Sequence, residues 1–187
     1  MRSRAGLRFL AITISIIAAR AFDAWTTWVA TPDLRLEQNP LESLLHVGWS
    51  GLLLLNAGVA ALLVGAAWSA AFRSPAIPLE PGLDLSSFVA RYWFSSSNRR
   101  SIVQAMFWLP ADRRVRWAFI GGPGVALVIV ASVVVGAWNL LVARGVVRST
   151  ATGTIWIAGF WLAMLLGLGL AVRTFLLHAY TRYLREA

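Results

Sequence analysis

Residues 154–179 read TIWIAGFWLAMLLGLGLAVRTFLLHA, with Arg173 as the only charge, and this stretch decides the fold. A helix in the core of a small soluble domain is shorter and keeps a polar face. Crossing a hydrocarbon layer of about 30 Å takes ~20 predominantly apolar residues. Three more segments meet that requirement: Leu7–Ala30, Leu45–Phe72 and Trp117–Ala143. None shows the apolar/polar alternation of barrel strands, and in lipid only helices or a closed barrel satisfy the backbone. The expected fold is therefore all-α: an integral membrane bundle of four transmembrane helices, one transmembrane domain over residues 1–187. A hydrophobic content of 58% and a mean hydropathy of +0.68 agree with this.

The charge is entirely one-sided in residue type. The chain has no lysine, so its 17 cationic residues are all arginine, giving a net charge of +9. In a soluble chain such a balance points to nucleic acid. Here the arginines flank the apolar segments, so topology and anionic lipid headgroups explain them and no nucleic-acid partner is expected. Placing the N-terminus inside puts Arg2, Arg4 and Arg8 in the cytoplasm. Arg73, Arg91, Arg99, Arg100, Arg113, Arg114 and Arg116 of the long loop, with Arg182 and Arg185 of the tail, join them. Only Arg35, Arg144 and Arg148 then lie outside. The expected arrangement is N-in and C-in, in a prokaryotic inner membrane. The basic start imitates a signal peptide, but the apolar pattern resumes through Trp28, so a retained first helix is expected.

The loop 73–116 is expected to be inside. Pro75, Pro78 and Pro81 keep its start extended. Leu85, Phe88, Val89 and Tyr92 then share one helical face, and Ile102, Val103, Met106 and Phe107 another, before Pro110 ends the run. This predicts one or two amphipathic helices at the cytoplasmic interface; docking against a partner subunit gives the same pattern. Most of the 10 tryptophans mark helix ends, as an aromatic belt does. Small residues at four-residue spacing let helices approach closely in lipid. Gly159, Ala163, Gly167 and Ala171 form such a stripe on the last segment, Ser132 and Gly136 on the third, and Gly65 and Ser69 on the second.

Chemistry-bearing residues concentrate near the outer end of the first segment. Thr13, Arg20, Asp23 and Thr27 share a helix face, and Arg20 and Asp23 are close enough to pair. Charges within a membrane cost ~2.5–3.5 kcal/mol each on insertion scales, so they face protein or water and mark candidate sites. Asp23 lies about 10 Å below the outer boundary, and Asn56 about 15 Å along the second helix from His46. Arg20, Asp23, Thr27, Glu37, Asn39, His46 and Asn56 form one candidate polar cluster. Two readings stand open: a site for an ion, proton or metal, or a structural lock on the first helix.

Asp23-Ala24-Trp25-Thr26-Thr27 followed by Glu37-Gln38-Asn39-Pro40 resembles a family of small prokaryotic polytopic membrane proteins. Its members carry Asp-x-x-Thr-Thr late in a first helix and Glu-x-Asn-Pro in the next loop. The resemblance spans about 20 residues and implies that the polar cluster acts as a unit. It implies no particular activity.

Other chemistries are poorly supplied. Without cysteine there are no disulfides, thiolate metal sites, iron–sulfur clusters or cysteine nucleophiles. His46 and His178 fall on opposite sides of the bilayer, so no haem is held by this chain alone. No cofactor motif is present, while pigment, quinone or lipid can contact the apolar faces. Three functions compete. The first is a non-catalytic subunit packed in a larger membrane complex, such as a respiratory or photosynthetic one, with other membrane subunits as partners. The second is a small transporter or channel with an outer-leaflet ion or proton site. The third is a membrane-embedded enzyme acting on lipid or isoprenoid.

Overall fold

The computed structural model describes residues 2–34, 48–73, 75–78, 80–146 and 151–186. Among these residues it is helical, with no strand. In chain order α1 is Arg2–Ala30, α2 Gly48–Phe72, α3 Leu85–Phe94, α4 Ile102–Ala105, α5 Arg113–Ala143 and α6 Ala151–Glu186. Helices α1, α2, α5 and α6 are each long and apolar enough to cross a membrane. The chain is an integral membrane protein built as a four-helix bundle.

The four spans alternate in direction, so the chain termini and the long loop share one end of the bundle. Contacts fix this: Phe9 at the start of α1 meets Phe72 at the end of α2, with rings 5.8 Å apart. At the opposite end, the Trp49 indole donates to the Pro32 carbonyl at 2.8 Å. Helices α1, α2 and α5 pack as a close triple. Ile16, Leu63, Ala67 and Val125 form its buried apolar centre.

Glycine sets the two tightest crossings of that triple. A Cβ on Gly121 would collide with the backbone carbonyl of Ala66, so α5 and α2 touch backbone to backbone. A Cβ on Gly136 would strike the Phe22 ring of α1. Gly121 lies in a π-helical segment of α5, Ile120–Gly124, which also contains Pro123. Proline lacks a backbone N–H and its ring crowds the carbonyl four residues back. A π turn accommodates that within a continuous helix.

Helix α6 behaves differently. At 36 residues it is about 54 Å long, far more than a span needs. It continues past the expected end at Ala179 because its last turns have work in the loop. Tyr180 and Tyr183 project from it into a second core made with α3 and the start of α5. Phe88, Tyr92, Trp93, Phe119, Phe175 and Tyr183 pack ring against ring there, and Phe88 is wholly buried. The Tyr183 hydroxyl accepts from the Leu83 N–H at 2.8 Å and donates to the Glu80 carbonyl at 2.7 Å. The Tyr180 hydroxyl donates to the Leu83 carbonyl at 3.2 Å. The extended stretch before α3 is thereby tied to α6.

The loop thus contains two short helices, and they divide the apolar surface between them. The apolar face of α3 is spent on the aromatic core. Exposed apolar groups come instead from α4 and the turn after it: Val103, Phe107, Trp108 and Leu109. Trp93 is not a belt residue. It is buried, and its indole donates to the Trp108 carbonyl at 2.8 Å.

Candidate functional site: an arginine-centred junction

Arg20 is the hub of the transmembrane triple. Its Nε donates to Asn56 Oδ1 of α2 at 2.9 Å. Its Nη1 donates to Asp23 Oδ2 at 3.0 Å and to Ser132 Oγ of α5 at 3.1 Å. One side chain therefore joins three helices. Asn56 answers with a long bond from Nδ2 to the Arg20 carbonyl, 3.4 Å. Both charged side chains are mostly enclosed, with relative exposures of 21% for Arg20 and 18% for Asp23.

The local sequence explains the convergence. The spacing of three residues between Arg20 and Asp23 puts them on neighbouring turns of one face. Ala19 beside them is buried and small, which lets α2 and α5 close in. The guanidinium is planar and presents several donors in fixed directions. It can serve acceptors from three helices at once, whereas an ammonium is a point charge. Pairing with Asp23 cancels the net charge, and each bond replaces one that water would have supplied.

Thr27, one turn beyond Asp23, belongs to a second contact. The Asn139 amide of α5 donates to Thr27 Oγ1 at 3.2 Å. Thr31 donates to the Thr27 carbonyl at 3.1 Å, and Thr26 to the Asp23 carbonyl at 3.0 Å. Thr26 and Ser132 are buried. Thr13, on the same face two turns before Arg20, has a buried hydroxyl without a hydrogen-bond partner.

Of the cluster expected from sequence, Arg20, Asp23 and Asn56 meet directly and Thr27 lies next to them. Glu37, Asn39 and His46 lie outside the described residues. Ser132 and Asn139 complete the junction without having been singled out as polar partners. The signal was their spacing of seven residues, which puts both on one face of an otherwise apolar helix. Among the described residues no three His, Asp or Glu side chains come together. The junction is rich in donors already committed to protein acceptors, which suits holding helices in register more than exchanging ligands.

The small-residue stripe of α6 divides in two. Gly167 packs against Leu127 of α5, and Ala171 lies beside the aromatic core. Gly159 and Ala163 stand exposed, with nothing near the position of a Gly159 Cβ. The stacked indoles of Trp138 and Trp156, 4.4 Å apart, are the contact of α6 with α5 at that end. His178 and Arg173 are exposed near the termini end of the bundle.

Neither family models, nor curated proteins, nor solved structures give a match to this chain.

Proposed function

We propose that this chain is a non-catalytic integral subunit that packs into, and stabilises, a larger membrane complex. The observation that carries the reading is the bare half of α6. Gly159 and Ala163 offer a close-approach surface that no helix among the described residues covers. Around them Ile155, Trp161, Leu162, Leu165 and Leu166 are more than half exposed. Large apolar groups alone would suit lipid. Small residues at helical spacing suit a second backbone, because helix association in lipid depends on close packing.

The polar junction supports the same reading from the other side. Its donors are bound to acceptors on three helices, as a structural lock requires. The proposed setting is a prokaryotic inner membrane with both termini in the cytoplasm. The arginine-rich loop and tail share one end of the bundle, and the positive-inside bias assigns that end. Purification from native membranes in mild detergent tests the proposal. Other membrane polypeptides should accompany the chain in fixed proportion. A chain that emerges alone and monodisperse from its native membrane would contradict it.

A further inference from the structure

A groove lined by α2 and the start of α5 runs along α2 and ends at a cluster of arginines. Along α2 it has a volume of about 470 Å³. Gly58, Ala61 and Gly65 form the floor, with Leu62 and Trp68 beside them. It opens at the termini end into a recess of about 600 Å³ among Ser69, Arg73, Arg113, Arg114 and Trp117. Gly58 to Arg73 spans about 22 Å of helix axis, longer than half of the ~30 Å hydrocarbon layer.

Two observations say what fills this groove. The first concerns its floor. The sequence marks Gly65 and Ser69 as helix-packing positions, yet among the described residues no helix covers them. A Cβ at Gly58 or at Gly65 would meet nothing within 4 Å. The second concerns charge. Arg73, Arg113 and Arg114 have no acidic partner among the described residues. Arg73 lies over the Trp68 ring, 4.8 Å from its centroid, which aims it along the groove wall. The nearest acid in sequence, Asp112, is spent on capping α5: its Oδ1 accepts from the N–H groups of Arg114 and Val115 at 2.7 and 3.0 Å. Arg116 is likewise committed, donating to the Pro110 and Ala111 carbonyls. The start of α5 is thus held rigidly while Arg113 and Arg114 remain open.

We propose that the groove holds one anionic phospholipid. Its phosphate sits among Arg73, Arg113 and Arg114, and one acyl chain lies on the Gly58–Ala61–Gly65 floor. Uncompensated cations at a headgroup-level mouth favour a phosphate whose charge no headgroup ammonium cancels. The apolar trough with a floor of small residues selects a chain. An inorganic anion uses only the mouth, and a zwitterionic lipid fills the trough but brings its own ammonium to the mouth. The groove includes no residue of α6, so the proposal stands independently of the assembly reading.

The test is lipid retention and thermal stability of the full-length protein in detergent, after delipidation. Phosphatidylglycerol should be retained more strongly, and should raise the melting temperature more, than phosphatidylcholine. Arg113→Gln with Arg114→Gln should weaken phosphatidylglycerol binding roughly 30-fold, as loss of two arginines at an anionic surface implies. Gly65→Leu fills open space, so it should keep the fold while displacing the chain and lowering retention with every arginine in place. Equal retention of the two lipids would overturn the proposal. So would full competition by inorganic phosphate, or unchanged retention in both variants.

Discussion

Helices α1 and α6 are alike as sequences and opposite as structural members. Each is a long apolar segment interrupted by an arginine. Helix α1 packs one face against α2 and α5 from Phe9 to Thr27 and is pinned near its middle by the Arg20 junction. Helix α6 is fastened at one end by the aromatic core and left bare over much of the other. The difference follows from the solvent at each place. Inside lipid, apolar burial gives little reason for one helix to choose another, so register comes from Arg20, Asp23, Asn56 and Ser132 and from glycine-mediated contact. Beyond the lipid, water is present again, and burying Phe88, Trp93 and Tyr183 provides the driving force. Along the span α6 meets α5 at Gly167–Leu127 and at the Trp138–Trp156 stack, which leaves the Gly159 and Ala163 face free for something else.

Breaking the junction should do the most damage. Asp23→Ala leaves the Arg20 guanidinium without its counter-charge in a low-dielectric setting, a change that typically costs ~3–5 kcal/mol. Adding Arg20→Ala should recover part of that loss, since the stranded charge is removed while the Asn56 and Ser132 bonds are lost. Thermal unfolding in detergent reads both, and a double variant less stable than Asp23→Ala would show that the pair is not the lock described here.

The next effect separates the two kinds of glycine. Gly121→Ala forces α5 away from the Ala66 carbonyl, a strain on the order of 1–3 kcal/mol. Gly159→Ala adds the same methyl group to open space and should leave the isolated chain's melting temperature unchanged. Equal effects from the two would erase the distinction between the enclosed triple and the bare helix.

How far these features could be read from residues alone depends on the kind of force involved. The four spans are legible because lipid demands long apolar runs, which leave an unmistakable pattern. The pairing of Arg20 with Asp23 is legible because three-residue spacing is local, and Asn56 follows from depth. Ser132 and Asn139 were harder. Their partners are more than a hundred residues distant, and a serine in a helix reads first as a small packing residue. The aromatic core was hidden for a related reason. An amphipathic α3 fits a membrane surface as well as a protein surface, and the choice was made by Tyr180 and Tyr183 at the far end of the chain. Gly121 gave no spacing signal, since its demand comes from a backbone on another helix.

The smallest predicted effect belongs to the aromatic core and depends on pH. Burial pushes the Tyr92 phenol up to about 12, whereas an exposed tyrosine ionises near 10. The folded core therefore holds the neutral phenol, and its contribution is complete below pH 10. It is lost as pH rises from about 10 towards 12, where the unfolded segment releases its proton and the folded one does not. In hydrogen-exchange measurements on α3, wild type should lose protection over that window relative to Tyr92→Phe. Parallel curves for the two proteins would place Tyr92 outside the core.

The bare half of α6 is best tested by the co-purification of partner polypeptides from native membranes, compared between wild type and the Gly159→Leu/Ala163→Leu variant. Among the described residues nothing lies near a Gly159 Cβ, and Ala163 is exposed. The isolated variant should keep the wild-type melting temperature in detergent but no longer carry partners with it. A variant that retains its partners in full would show that this surface faces lipid, and would contradict the assignment of α6 as the docking helix.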